Sequence, residues 1–399
     1  MLRPRARDDV AVRGLFLAVG FAMAAFFPFL AIYLRGFHGL DESEIGFVLA
    51  CTAAARMIAN PVWGHLADTK IGRLSALQVG LVGAAVPAFL LNAAATLAVL
   101  TTLMAVQAVF QVAQLPNVDA IALEHLGDGE MSGYGRLRGW TSLSYATGCF
   151  VFGALLQHSG VRLAMPVYGV CVLVVLAWST TLPRDRPHPL EEHGRLGALG
   201  AVFRTAPRYW GFLAAALLVW TGFNAAWFYI GPRIEDQGGG PLLIGIGTAL
   251  GGLCEVPMMR SSSRFQRRFG LRPVYVAGCL VYGTTFLLWG AVSSPTVLSL
   301  LAVFEGIGFS LLFTTSVVVV GTLLPRSLYS TGNAAGQMVA FGIAPIIGAG
   351  LGGLIYQRLG APTLYLGAFV LAFAAAGIAW IALSTPTLSQ PEPEPDTAR

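Results

Sequence analysis

Gly64-His65-Leu66-Ala67-Asp68-Thr69-Lys70-Ile71-Gly72-Arg73 is a short charged turn with a long apolar run on each side. Residues 74–95 contain no Asp, Glu, Lys or Arg, and residues 43–66 carry only Glu44 and Arg56 among those four types. About 20 predominantly apolar residues suffice for a helix to cross a bilayer core. The turn therefore joins two membrane crossings.

Outward from this turn the same unit recurs. Apolar runs lie near 12–34, 43–66, 74–95, 97–122, 137–159, 162–182, 209–233, 241–260, 272–292, 295–322, 329–356 and 362–384. The first has features of a signal peptide: Arg3, Arg5 and Arg7 precede it, and Ala22-Met23-Ala24 resembles a cleavage site. Its length suits a spanning helix better than a signal h-region, so it is read as the first crossing. The composition agrees. Of 399 residues 55% are apolar and 11% charged, where soluble domains carry about 25% charge. Mean hydropathy is +0.68. A soluble enzyme and a disordered chain are both excluded.

Charge then sets the orientation. The net charge is +5, and 24 of the 25 basic residues are Arg, scattered with no aromatic-interleaved stripe, so no nucleic-acid partner is expected. With the N-terminus inside, 20 basic residues fall on the cytoplasmic side and Arg35, Arg162, Arg233 and Arg358 on the other, leaving Arg56 within the membrane. Positive charge concentrates in cytoplasmic loops. The expectation is a multi-pass protein of a bacterial-type inner membrane with both termini cytoplasmic. Cys51, Cys149, Cys171, Cys254 and Cys279 lie inside apolar runs without a C-x-x-C, so neither disulfide nor metal is expected.

The Pro- and Arg-rich interval 183–208 divides the chain into an N-terminal six-helix bundle (1–182), a cytoplasmic linker (183–208) and a C-terminal six-helix bundle (209–384). The Pro- and Glu-rich tail, 385–399, is expected to be disordered. A weak repeat relates the halves: Ile71-Gly72-Arg73 after the second run answers Phe269-Gly270-Leu271-Arg272 after the eighth. Arg56 and Glu255 stand 16 and 15 residues before those glycines.

Six plus six helices around a long middle loop resembles the major facilitator superfamily, whose halves are related by an axis along the membrane normal. The 64–73 turn is similar to the superfamily's motif between its second and third spans. One extra residue separates Asp68 from Gly72, and Thr69 stands where a basic residue is usual. Tyr134-Gly135-Arg136-Leu137-Arg138-Gly139-Trp140-Thr141-Ser142 resembles the corresponding run of phenylpropionate, nucleoside and lactose permeases, as do Pro28-Phe29 with Tyr33, and Ala55-Arg56. Gly252-Leu253-Cys254-Glu255-Val256-Pro257 is similar to both phenylpropionate permeases and sugar efflux transporters. The resemblance implies an all-α polytopic fold of 12 transmembrane helices in two six-helix bundles. It also implies alternating access, with gating by Gly64, Asp68, Gly72, Arg73, Arg136 and Arg138.

Ionisable groups inside the membrane are the strongest pointers to a site, because each is costly unless paired or wet. There are four: Arg56, Asp119, Glu255 and Glu305. The bland alternative is a set of ion pairs that lock helices. Arg56 and Glu255 are expected to meet across the halves, and Asp119, near a helix end, to pair with Arg136 or Arg138. Glu305, Glu255 and Asp119 are the candidates for proton coupling, Glu305 being preferred because Phe309 and Phe313 continue its helix face. Gln107, Gln111, Gln114 and Asn117 share one face of the fourth run. Lipid offers amides no partner, so that face must look at protein or a cavity. Trp220, Asn224 and Trp227 share a face of the seventh run, Asn333 and Gln337 one of the eleventh, and Phe29 clusters with Phe26 and Phe27. The substrate-binding candidates are thus Arg56, Gln107, Gln111, Gln114, Trp220, Asn224, Trp227, Asn333, Gln337 and Phe29.

Gly348-Ala349-Gly350-Leu351-Gly352-Gly353 satisfies G-x-G-x-x-G but lies within an apolar helix without a βαβ unit. No P-loop, H-E-x-x-H or G-x-S-x-G occurs, so neither a cofactor nor an enzyme is expected. The sequence thus points to a monomeric secondary transporter in the lipid bilayer. Its expected activity is proton-coupled uptake of a small organic solute, an aromatic acid or a sugar-like molecule. Proton-driven efflux of sugars or drugs is the alternative, and a membrane sensor or assembly factor the reading from another class.

Overall fold

The computed structural model describes residues 4–126, 131–183 and 207–384. The 385–399 tail, nearly all of the 183–208 linker and the side chain of Arg136 lie outside the described residues. Among the described residues, twelve membrane-length helices run up and down. They are α1 (Asp9–Gly36), α2 (Glu42–Ile71), α3 (Arg73–Ala93), α4 (Leu97–Leu126), α5 (Met131–Ser159) and α6 (Val161–Ser179), then α7 (Pro207–Asp236), α8 (Pro241–Phe269), α9 (Leu271–Ala291), α10 (Pro295–Leu323), α11 (Tyr329–Leu359) and α12 (Ala361–Ala382). Eleven are long and apolar enough to cross a membrane; α5, which carries Arg136 and Arg138 in its first turns, is the twelfth.

Two helices outrun their apolar sequence. α5 begins at Met131 and α8 runs on to Phe269, so Arg136, Arg264, Arg267 and Arg268 lie on helix where the hydropathy pattern expects loop. Arginine is a good helix former. Hydropathy reports where hydrocarbon ends, whereas the helix continues into the polar zone.

Local signals fix the turns. At the start of α2, Asp41 accepts from the Glu44 N–H at 2.9 Å while Glu44 accepts from the Asp41 N–H at 3.1 Å, a reciprocal cap. Gly72, Gly160, Gly270 and Gly360 precede α3, α6, α9 and α12 at φ of 81, 83, 85 and 83°. The same left-handed glycine thus closes the second turn of every three-helix unit, a fourfold version of the repeat read at Gly72 and Gly270. With ψ of 158, 153, 165 and 163° these glycines lie in a region that essentially only glycine adopts. The extra residue before Gly72 has a place too: Ala67–Ile71 forms a π turn at the end of α2. A π turn absorbs one inserted residue within a helix. It leaves Asp68 3.5 Å from Arg73.

The fold is two six-helix bundles. Within the first, α1 packs on α5 and α6; within the second, α7 packs on α11 and α12. α5 lies along α8, and α2 along α11, which joins the halves. Glycines make the first of these contacts close: a Cβ on Gly245 would lie 2.2 Å from the Cys149 carbonyl oxygen. α3, α6, α9 and α12 present Val82, Val86, Val170, Val174, Leu287, Leu366 and Val370 to the outside, as a lipid-facing scaffold must.

Candidate functional site

The bundle has a terminal end, where α1 begins and α12 stops, and an opposite end marked by Arg35. Polar contacts that bridge the halves gather at the Arg35 end. Arg35 on α1 reaches Asp236 on α7 at 2.7 Å and donates to the Pro232 carbonyl at 3.2 Å. Tyr356 on α11 donates to the same Asp236 at 2.6 Å. The Tyr229 hydroxyl donates to the Glu42 carbonyl at 3.2 Å, and Ser43 bonds Gln357. Nearer the terminal end a cleft of about 760 Å³ opens between α1, α4, α5 and α8, lined by Arg13, Leu137, Trp140, Val256 and Arg260 among others. The molecule is shut at one end and open at the other.

Between these ends lie two polar clusters. The first surrounds Arg56 at mid-length of α2. Its Nη2 donates to Gln111 Oε1, and Gln111 Nε2 donates to the Tyr168 hydroxyl at 2.9 Å. The guanidinium stands 5.1 Å from the centre of the Phe27 ring, a cation–π contact. Gln107 and Gln114 interact with the same Tyr168 hydroxyl. Yet both polar atoms of Gln107, Gln114 Nε2 and Arg56 Nε are buried without completing a hydrogen bond. The three glutamines expected on one face do converge, on the Tyr168 hydroxyl, and Gln111 links that group to Arg56. Asn117 spends its amide on the Ala113 carbonyl at 2.6 Å. α4 breaks at residues 112 and 113, between Gln111 and Gln114.

Arg56 is the anomaly of this cluster. A cation at the centre of a bilayer costs about 2.5–3.5 kcal/mol on insertion scales, and among the described residues no carboxylate comes within 4.0 Å of it. The expected ion pair with Glu255 is not formed in this conformation. The half-repeat puts the two residues at matching positions along α2 and α8, but α2 packs on α11 and α8 on α5, so each helix faces a different partner in the other half.

The second cluster belongs mainly to the other half. Glu305 on α10 is 7% exposed. A Cβ on Gly251 would meet its Oε2 at 3.0 Å, so the carboxylate lies against α8. Glu255 on α8 interacts electrostatically with Glu305, and both act on Tyr282 of α9 and on Tyr145, which reaches across from α5. The Tyr282 hydroxyl is buried without a partner. Glu305 forms no ion pair among the described residues. Asp119 lies 3.1 Å from Arg138, whose charge also acts on Glu255.

Aromatic side chains fill the space beside the acidic pair. Trp220 lies 5.6 Å from Phe309 and 5.2 Å from Phe341, and Phe223 stacks on Tyr282 at 5.2 Å. A small cavity of about 30 Å³ beside Trp220 is lined by Phe313, Asn333, Gln337 and Phe341. Trp227 lies farther along α7, 6.4 Å from Phe223. Asn224 donates its amide to the Trp220 carbonyl of its own helix at 2.7 Å. Phe29 is fully buried in the core; Phe27 takes the place beside Arg56.

The gating candidates fall at the terminal end. Asp68 faces Arg73, not Arg138, and Arg73 also reaches Glu124 on α4 at 3.5 Å. Gly64 faces open space, and Gly72 is the left-handed turn residue. Three residues escaped the sequence reading: Tyr145, Tyr168 and Tyr282. Tyrosines in apolar runs read as packing. Their one signal is a hydroxyl in an apolar run, since a buried hydroxyl needs a partner, and Tyr275 and Tyr365 share it.

Comparison with known proteins follows the same line. The model of the MFS_1 like family matches residues 14–367. The maltose permease of Geobacillus stearothermophilus is 26% identical over 360 residues, covering 88% of each chain. An uncharacterized transporter of Bacillus subtilis (strain 168), YwbF, is 22% identical over 388 residues, covering 93% of this chain and 92% of its own. Among solved structures, a mutant of the nucleoside transporter NupG superposes with a TM-score of 0.83 at 14% identity, over 96% of this chain and 99% of that one. A POT family transporter bound to a thioalcohol-conjugated peptide superposes with a TM-score of 0.75, also at 14% identity, over 95% and 96%. The chain belongs to the MFS_1 like family and is a membrane transporter of the major facilitator type.

Proposed function

We propose that this transporter takes up a small polar organic solute, driven by the proton gradient. The observation that carries the reading is the pair Glu255 and Glu305 beside Tyr282 and Tyr145, with Glu305 buried and no ion pair to it among the described residues. A carboxyl group in dry surroundings favours its protonated form and gives the proton up when wetted. Alternation between a face open at the terminal end and one open at the Arg35 end wets such a group from each side in turn. The amides of the Arg56 cluster and the aromatic wall around Trp220 supply hydrogen bonds and ring surface for the solute. Two similar proteins are named for maltose and for nucleosides, both hydroxylated ring compounds of fitting chemistry.

The halves rock about the α2–α11 and α5–α8 contacts, with 183–208 as linker, and the protein works as a monomer in the plasma membrane. Both termini are placed in the cytoplasm on the strength of the 20-to-four charge asymmetry. Reporter fusions after Arg186 and at the C-terminus are expected to read cytoplasmic, and one after Gly239 periplasmic; a reversed sign at any of them contradicts the topology. The transport test is uptake into proteoliposomes with an inward proton gradient, using maltose, uridine, glucuronate and 3-phenylpropionate. Saturable accumulation of at least one solute, abolished by a protonophore, is expected. Fluxes equal to those of empty liposomes for all four overturn the reading.

A further inference from the structure

We infer that the substrate is an organic anion, a ring compound bearing one carboxylate, and that Arg56 is its anchor. The inference rests on the transport reading above and narrows its substrate class. Arg56 is held at mid-membrane by one amide, Gln111, and one ring, Phe27, and its Nε has no partner. In the same cluster, Gln107 (1% exposed) and Gln114 (5% exposed) interact only with the Tyr168 hydroxyl, and Gln107 Nε2, Gln107 Oε1 and Gln114 Nε2 stay buried without completing a hydrogen bond.

Four unpartnered polar atoms in one cluster are not the signature of a finished core. Buried polar groups are almost always satisfied, and a half-satisfied polar network is worse than an apolar one. Three of the four atoms are donors, Arg56 Nε, Gln107 Nε2 and Gln114 Nε2. They match an acceptor-only ligand group. A carboxylate is acceptor-only when ionised, and a guanidinium offers it two parallel N–H donors. The lone acceptor, Gln107 Oε1, then suits a hydroxyl or amine beside the carboxylate. A neutral sugar offers hydroxyls to the amides but leaves the Arg56 charge uncompensated.

Charge accounting also separates this group from the acidic pair. Glu255 and Glu305 lie with α8 and α10 in the other half, and neither forms an ion pair with Arg56. A bound anion therefore supplies the counter-charge to Arg56 and leaves the acidic pair to carry the proton. Arg56 lies on the first half and the aromatic wall on the second, so a ring carrying a carboxylate spans both when the molecule closes around it.

The test is thermal stability of the purified full-length protein with matched pairs: glucuronate against glucose, and 3-phenylpropionate against 3-phenylpropionamide. At least one acid is expected to raise the melting temperature while its neutral partner does not, since a ligand specific to the folded state stabilises it. Arg56→Gln is expected to weaken that acid's binding by about a hundredfold, as befits a lost charge-assisted contact. Arg56→Lys keeps the charge without the fork and is expected to lose less. The melting temperature of each ligand-free variant establishes that it folds. Gln107→Leu, which leaves the charge in place, gives a second measure, with an expected loss of about tenfold.

The inference is overturned if neutral members stabilise as much as the acids, if no acid shifts the melting temperature, or if Arg56→Gln binds the acid as the wild type does. Saturable uptake of maltose or uridine without acid binding removes the anion assignment and leaves the transport reading intact.

Discussion

At the residue scale the sequence exposes charge and conceals hydroxyls. Arg56, Glu255 and Glu305 stand out because each interrupts an apolar run, and the structure does place them at mid-helix. Tyr145, Tyr168 and Tyr282 hid in the same runs, since a tyrosine there looks like any other aromatic. Which partners those charges find was not legible either, because it depends on the state of the cleft. Two predictions belong here. Glu305→Gln cannot release a proton, so the variant should still exchange solute between equally loaded sides and lose uphill accumulation driven by pH. Equilibrium exchange and accumulation, measured on the same proteoliposomes, separate the two; accumulation at the wild-type level removes Glu305 from coupling. The second concerns His38, in the turn after α1, whose ring bonds the Tyr33 hydroxyl at 3.0 Å. Burial lowers its pKa from the ordinary histidine value, only partly opposed by a backbone bond to Leu91. The folded state thus binds this proton more weakly than the unfolded state does. Its contribution to stability is full above about pH 6.5 and falls as the pH drops below that. The melting temperature of the wild type should therefore fall more between pH 7.5 and 5.5 than that of His38→Gln. Equal falls contradict the assignment.

At the scale of elements, the number of helices and their order followed from apolar length alone, while their ends and breaks did not. A basic flank reads as loop in a hydropathy pattern, yet α5 and α8 continue through theirs. The break of α4 at residues 112 and 113, the 3-10 turn at Phe27–Phe29 and the π turns at Ala67–Ile71 and Val339–Ile343 left no clear sequence mark except Pro28 and the spacing before Gly72. The turn glycines were half legible. Gly72 and Gly270 were read as a repeat from neighbouring residues, and φ adds Gly160 and Gly360. Replacing Gly270 by Ala should cost about 1–3 kcal/mol, the penalty for a residue with a Cβ at a φ and ψ that essentially glycine alone adopts. A lower melting temperature for Gly270→Ala, and an unchanged one for Gly64→Ala on its ordinary helix with open space beside it, is the expected pair. Equal values for both would mean that the turn can relax.

The whole molecule is where sequence says least. Charge asymmetry indicates which loops share a side, but the relation of the two halves is set by tertiary packing at α2–α11 and α5–α8. The latch at the Arg35 end is an example: Arg35, Glu42, Asp236 and Tyr356 come from four helices and look like ordinary loop-edge residues in the sequence. This end is closed while the cleft at the terminal end stands open, and transport requires the opposite arrangement to form in turn. The most direct test is to hold the Arg35 end shut. Ser43 and Gln357 are hydrogen-bonded across the halves, so Ser43→Cys with Gln357→Cys, in a background without the five native cysteines, should form a disulfide on mild oxidation. The measurement is uptake, before and after reduction, of whichever solute the proteoliposome panel shows to be carried. Alternating access predicts that the oxidised protein carries nothing and that dithiothreitol restores flux; undiminished uptake by fully cross-linked protein would contradict it.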